Sequence, residues 1–438
     1  MNILLKRKLL VFSVAALFMT FLAACDGSSS GSSPDVSHGE VVHSPKPRIK
    51  APQTSQSDLD ELVEGNTAFA FDLYQAIREG NNNLIYSPYS ISLALAMTYA
   101  GARNNTEDEM ADTLHFTLGQ DALHPAFNAL DLELARRGQG AEGTDEEGFR
   151  LNIANSIWGQ TGYSFLGEFL DTLAENYGAG LRLLDFSGAP EESRVTINDW
   201  VSHETEDKIQ DLLPQGSISE LTRLVLTNAI YFNAAWNFPF DESVTEPGVF
   251  HLLDGGEVTV DMMSQVEHFR YAEGFTYQAI ELPYDGQELS MVIFIPDEGE
   301  FEEFERSLTP DNVDNILARL SSTSVNLTMP KFTFEFSLGL NQILATMGML
   351  DAFDPGAADF SGMDGTRSLF ISSVLHKAFI SVDEEGTEAA AATAVIISLT
   401  AMPQPPVELS IDRPFVFMIR DLETETVLFM GRVLHPEE

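Results

Sequence analysis

Few residues in this chain could carry chemistry, and their spacing excludes most of it. Gly138-Gln139-Gly140-Ala141-Glu142-Gly143 matches the dinucleotide pattern G-x-G-x-x-G. That pattern works where a strand ends and a helix begins, because the helix N-terminus receives the pyrophosphate. Here a helical segment precedes it and an acidic run follows, so it reads as a loop. Gly27-Ser28-Ser29-Ser30-Gly31 matches G-x-S-x-G. It lies in a Ser/Gly-rich stretch rather than at the strand-to-helix turn that exposes a nucleophile. The nine His include no H-x-x-x-H pair of the zinc-binding kind. With no P-loop either, no metal, no cofactor and no enzymatic activity are expected. Cys25 is the only cysteine, so no internal disulfide can form and stability must come from packing.

The stretch that does stand out carries no charge at all. Between Glu388 and Glu408 every residue is neutral, in a chain with 67 Asp and Glu. It runs from Ala389 through Ala392, Thr393 and Ala394 to Val395-Ile396-Ile397-Ser398-Leu399-Thr400-Ala401-Met402, and ends in Pro403, Pro405 and Pro406. Periodicity alone is compatible with a buried helix or strand followed by a turn. The prolines and the preceding Asp383-Glu384-Glu385-Gly386 instead frame a loop between strands. An apolar loop in water implies a partner or a second conformation. Thr387, Ala389, Ala391, Thr393, Val395 and Ile397 would share one face of a strand. That face is small at its start and β-branched towards its end. It could slide into a sheet and bury Val395 and Ile397, a gain of roughly 3–6 kcal/mol before any ladder hydrogen bonds.

Around this loop the pattern predicts an α+β fold. Leu62, Phe69, Leu73, Ala76 and Ile77 share a helical face that ends at Gly80 and Asn81-Asn82-Asn83. Ser87-Pro88 opens a second helix, apolar on most sides and so buried, through Ala100. Leu151 to Trp158, Arg223 to Phe232 and Met291 to Ile295 read as strands, and Phe332, Phe334 and Phe336 mark a half-exposed one. Phe415 to Ile419 and Val427 to Met430 flank a turn and predict a closing hairpin.

Composition adds bounds. The formal net charge of −43 makes nucleic acid an improbable partner and favours cationic partners or solubility in salty surroundings. Lys6, Arg7 and Lys8 precede a short apolar run, Leu9 to Phe21, and then Leu22-Ala23-Ala24-Cys25. This resembles a bacterial lipoprotein signal: residues 1–24 would be removed, Cys25 lipidated, and the chain exported and held to a membrane at the periplasmic face or the cell surface. Residues 25–56, rich in Ser, Gly, Pro and Gln, are expected to form a flexible tether. Residues 57–438 would be the folded domain.

Within that domain several motifs together resemble the serpin family. Gly386-Thr387-Glu388-Ala389-Ala390-Ala391-Ala392-Thr393 is similar to the hinge of inhibitory serpins. Pro414-Phe415-Val416-Phe417 and Leu428-Phe429-Met430-Gly431-Arg432-Val433 resemble the C-terminal strands. Ser87-Pro88 with Ser90, Asn228 in Thr227-Asn228-Ala229, and His376 in Ser373-Val374-Leu375-His376-Lys377 resemble the shutter beneath the central sheet. Trp236 stands where the family has its breach tryptophan, and Pro330-Lys331-Phe332 also matches.

The resemblance implies one domain of three β-sheets and eight or nine helices with an exposed reactive-centre loop. It implies suicide-substrate inhibition, in which a protease acylates itself on the loop and the freed arm enters the sheet as a strand. Gly386 would be a flexible pivot, and Thr387 and Ala389 to Ala392 must be small to enter. Glu384 would pair with Lys331, and Ser87, Asn228 and His376 would form a network that opens on insertion. Family spacing puts the scissile bond at Thr400–Ala401, with Leu399 or Met402 as alternatives. Without Lys or Arg in the bait, the expected targets are elastase-, chymotrypsin-, subtilisin- or papain-like proteases. The acidic balance of Asp121 to Glu147 predicts no heparin response, and a monomer is expected. A non-inhibitory binding or carrier serpin is the alternative; the small residues Ala389 to Ala392 argue against it.

Overall fold

The computed structural model describes residues 38–138, 150–387 and 405–437. The segment that dominates the architecture is Leu224–Ala235, in which eleven of twelve residues are buried. It pairs antiparallel with Arg150–Gln160 on one side and parallel with Ile371–Val382 on the other. The sheet continues outward through Leu181–Leu184 to Glu40–Val42 at one edge, and ends in Phe332–Gly339 at the other. A second sheet contains Leu289–Pro296 flanked by Tyr277–Pro283 and Phe415–Asp421, followed by Val427–Val433 and Leu84–Tyr86.

The expected three sheets are hydrogen-bonded as two among the described residues. The reason is the seventeen-residue strand Glu257–Glu273. Its first six residues pair with Glu246–His251 and its last four with Tyr277–Pro283, so a would-be third sheet is continuous with the second. Ten α-helices are present among the described residues, against eight or nine expected. The shortest, Ser361–Asp364, is too short to carry a helical period.

Helix Gln56–Ile77 begins in a reciprocal cap: Ser55 accepts from the Asp58 backbone and Asp58 from that of Ser55. Helix Pro88–Tyr99 starts with a proline, whose missing N–H is one the first turn would leave unpaired anyway. All twelve of its residues are buried, and it packs behind the central sheet in the main core. A smaller core, with Trp158, Trp200 and Ala229, fills the other face beneath helix Pro190–Glu204.

The packed body begins at His38, which corrects the tether expected to reach residue 56. Val41 and Val42 pair with Arg182 and Leu181 at the sheet edge. Lys46 bridges Asp171 and Glu175, and Arg48 Nη2 donates to Asp131 at 2.6 Å. Average composition hides these residues because their partners lie more than eighty positions away. Cys25 and residues 1–24 lie outside the described residues, among which no helix is long and apolar enough to cross a membrane.

Candidate functional site

The central sheet has a seam. Leu224–Ala235 and Ile371–Val382 are parallel neighbours, paired from Leu224 opposite Ile371 up to Tyr231 opposite Phe379. Above that level they part. After Val382 the chain turns through Asp383, Glu384 and Glu385, and the Asp383 N–H bonds back to the Gly386 carbonyl at 2.9 Å. Gly386 and Thr387 then pair antiparallel with Ala235 and Ala234. The chain that follows, Glu388 to Gln404, lies outside the described residues, and with it the hinge residues Glu388, Ala389, Ala390, Ala391 and Ala392 and the bait residues Leu399, Thr400, Ala401 and Met402.

Gly386 does not occupy a backbone conformation reserved for glycine. Its role is spatial: a Cβ there would meet the Ala234 carbonyl oxygen at 2.2 Å. The residue expected as a pivot also makes a close backbone approach. Thr387 is fully buried, and its hydroxyl is 2.9 Å from Tyr284 Oη. The Tyr284 ring stacks on Trp236, with centroids 4.7 Å apart and planes 7° from parallel. Trp236 holds the turn from below: its indole N–H donates to the Asp383 carbonyl at 3.0 Å and its backbone N–H to that of Glu385 at 2.8 Å.

Glu384 is buried in this turn and bonded to Lys331 Nζ at 2.5 Å and to Thr245 Oγ1 at 2.7 Å. Burial alone would push its carboxyl pKa up. The Lys331 and Thr245 hydrogen bonds outweigh burial and hold it below the ordinary range.

Halfway down the seam Asn155, Asn228 and His376 stand at one level on three adjacent strands. The Ser87 backbone N–H donates to His376 Nε2 at 3.3 Å. Nδ1 therefore carries the proton, bonded to Asn228 Oδ1. Asn228 Nδ2 donates to Ser90 Oγ at 2.6 Å and to Asn155 Oδ1, and Asn155 Nδ2 to the Ser90 carbonyl at 3.1 Å. Ser87 caps its helix by accepting from the Ser90 N–H. The network thus ties the sheet to the helix behind it. His376 is fully buried, which lowers its pKa from 6.5 to about 3 and keeps it neutral. A strand entering between Asn228 and His376 must break their hydrogen bond.

The structure brings Ser87, Ser90, Asn228 and His376 together in one network, and Gly386, Thr387, Trp236, Glu384 and Lys331 in another above it. Asn155, Tyr284 and Thr245 were missed by sequence reasoning. Asn155 left a signal: it interrupts the apolar alternation of Ile153 and Ile157. Tyr284 and Thr245 left none, because each is placed only by the turn it contacts. Among the described residues no group of three His, Cys, Asp or Glu could hold a metal ion.

A mixed α+β body whose main sheet keeps a parallel seam beneath a short hairpin belongs to a fold class shared with solved serpin structures. The sequence profile of the serpin (serine protease inhibitor) family matches residues 64–436, and the chain belongs to that family. It is 40% identical to human leukocyte elastase inhibitor over 86% of this chain and all of that one. It is 39% identical to a serpin-like protein of Thermococcus kodakarensis, over 99% of this chain and all of the other. Among solved structures it resembles the thermophilic serpin tengpin in its native state, with a TM-score of 0.79 and 29% identity over 90% of this chain and 97% of that one. It also resembles uncleaved ovalbumin, with a TM-score of 0.76 and 25% identity over 86% of this chain and all of that one.

Proposed function

We propose that the chain is a suicide-substrate inhibitor of serine endopeptidases with elastase-, chymotrypsin- or subtilisin-like preference, with papain-like cysteine proteases as further targets, and that it is not itself an enzyme. The observation that carries this reading is Gly386–Thr387 already paired at the open top of a parallel seam. Continuing that pairing downward sets Ala389 opposite Phe232, Thr393 opposite Asn228 and Ile397 opposite Leu224, where the neighbouring strand begins. Residues directly opposite in a sheet share a face. Thr387, Ala389, Ala391, Thr393, Val395 and Ile397 would therefore face the main core with Leu224, Leu226, Ile230 and Phe232. Three residues, Ser398 to Thr400, would then lead from the sheet to the cleaved bond.

In this mechanism the protease hydroxyl adds to the Thr400 carbonyl carbon. The bond to Ala401 breaks, and the new amine leaves with the proton delivered by the protease's own base. The Thr400 ester remains, and insertion carries the attached protease down the sheet before water can hydrolyse it. Export and lipidation at Cys25, after removal of residues 1–24, would station a monomer at the membrane. The relation to leukocyte elastase inhibitor supports an elastase-like target.

The test is incubation with elastase, chymotrypsin and subtilisin, followed by denaturing gels and mass spectrometry. The expected products are a covalent complex and a released C-terminal peptide beginning at Ala401. Cleaved chain without complex for every protease, and without a rise in thermal stability, would replace inhibition by the carrier reading.

A further inference from the structure

The edge of the central sheet holds a cleft that shares only Asn155 with the network across the seam. Its volume is about 550 Å³, within the range of small-molecule sites. One wall is the N-terminal strap at His43 to Arg48. The opposite wall is Trp200 and Glu204 of helix Pro190–Glu204. The floor is Ile153 to Ser156. That stretch of strand lacks a strand neighbour on this edge among the described residues, because Leu181–Leu184 pairs only with Ile157 to Gln160.

Arg182 enters the cleft from the strand between these walls. Its guanidinium lies 4.8 Å from the Trp200 ring centroid and 5.5 Å from that of Trp158. Of its five N–H donors, one is bonded among the described residues, to the His38 carbonyl at 3.2 Å. Every other cation on the cleft wall is answered: Lys46 by Asp171 and Glu175, Arg48 by Asp131. Arg182 has no carboxylate within ion-pair distance among the described residues. Arg103, Arg223 and Arg319 also lack one, but none of them lines this cleft. Burial lowers its pKa, and the only opposing influence is the more distant Glu204. The Trp200 indole N–H, in the same wall, is buried without a hydrogen-bond partner.

We propose that this cleft binds a small monocarboxylate with an apolar body, its carboxylate on Arg182 and its body against Trp200 and Ile153. A guanidinium presents paired donors that match a carboxylate, and the indole face supplies apolar area beside it. The ligand bridges the strap, the sheet edge and the helix, so its occupancy holds residues 40–48 in place. Loop cleavage plays no part in this binding.

Benzoate serves as the probe and benzamide as its neutral isostere, titrated into the full chain by calorimetry, with hydrogen exchange of the strap followed in parallel. Benzoate should bind saturably, benzamide at least about tenfold more weakly, and benzoate should slow exchange across residues 40–48. Arg182→Gln should weaken benzoate about tenfold. Glu204→Gln, an exposed change that leaves the fold intact, should tighten it about threefold by removing a repulsive charge. Equal binding of benzoate and benzamide overturns the proposal. So does a Glu204→Gln chain with unchanged affinity, even if Arg182→Gln fails to fold.

Discussion

Thr387 lies opposite Ala234 with its hydroxyl 2.9 Å from Tyr284 Oη, so the first side chain of the proposed inserting strand is already inside the protein. Its neighbours there are aromatic rings and backbone. Thr387→Arg would put a charge where no partner exists, at a cost of about 3–5 kcal/mol if it entered. The variant should therefore keep its loop top outside the sheet and behave as a substrate. On denaturing gels against elastase, cleaved chain should replace covalent complex. Undiminished complex from the Arg variant would refute insertion in this protein.

Gly386→Ala tests the close approach directly. The added methyl meets the Ala234 carbonyl oxygen at 2.2 Å, so the hairpin must shift. Overpacking of this kind costs about 1–3 kcal/mol. The melting temperature should fall, and Trp236 emission should change because the Asp383 carbonyl it bonds belongs to the same turn. If the residue acted only as a flexible pivot, alanine would leave both unchanged.

Lys331→Met leaves Glu384 buried beside Thr245 without its cation. Fully buried pairs lose about 3–5 kcal/mol when one partner goes. Lys331 is partly exposed, so about 1–3 kcal/mol is expected here. The folded carboxyl sits below its ordinary value, so the pair's contribution is complete above pH 4.5 and fades as pH falls through the folded value. Urea midpoints of the Met variant should therefore be lower at pH 7 and converge on those of the parent as pH falls below the folded carboxyl's value.

Local signals made much of this legible. Ser87-Pro88 announced a helix start, and the apolar run at Met291 to Ile295 a doubly covered strand. The uncharged run after Glu388 predicts a loop, and it lies outside the described residues. What could not be read depended on distant partners. The strap looked like a tether because Ser44, Lys46 and Arg48 find Asp171, Glu175 and Asp131 only once the chain has folded. The same holds for the buried Glu305, whose carboxylate meets Arg432 at 2.6 Å and Tyr74 Oη at 2.8 Å. Sequence suggested a pivot at Gly386 but not its close approach, because the carbonyl that would meet a Cβ there lies 152 residues earlier.

His376 makes stability depend on pH. In the folded chain burial lowers its pKa to about 3, while the unfolded chain protonates near 6.5. Above 6.5 both states are neutral and the fold keeps its full stability. As pH falls the unfolded chain gains a proton that the folded one refuses, so between pH 7 and pH 5 this one group removes about 2 kcal/mol. His124, lowered to about 4 mainly by burial, acts in the same direction. Replacing His376 by Gln removes its share: the variant should be less stable at pH 7, where the bonds to Asn228 and the Ser87 N–H are lost or weakened. It should also lose about 2 kcal/mol less than the parent on going to pH 5. Urea midpoints of parent and variant at the two pH values check this. Equal pH losses in the two chains would mean that His376 takes up its proton in the fold at the same pH as in the unfolded chain, and that at pH 5 the rung joining the seam strands is an ion–dipole contact rather than a neutral hydrogen bond.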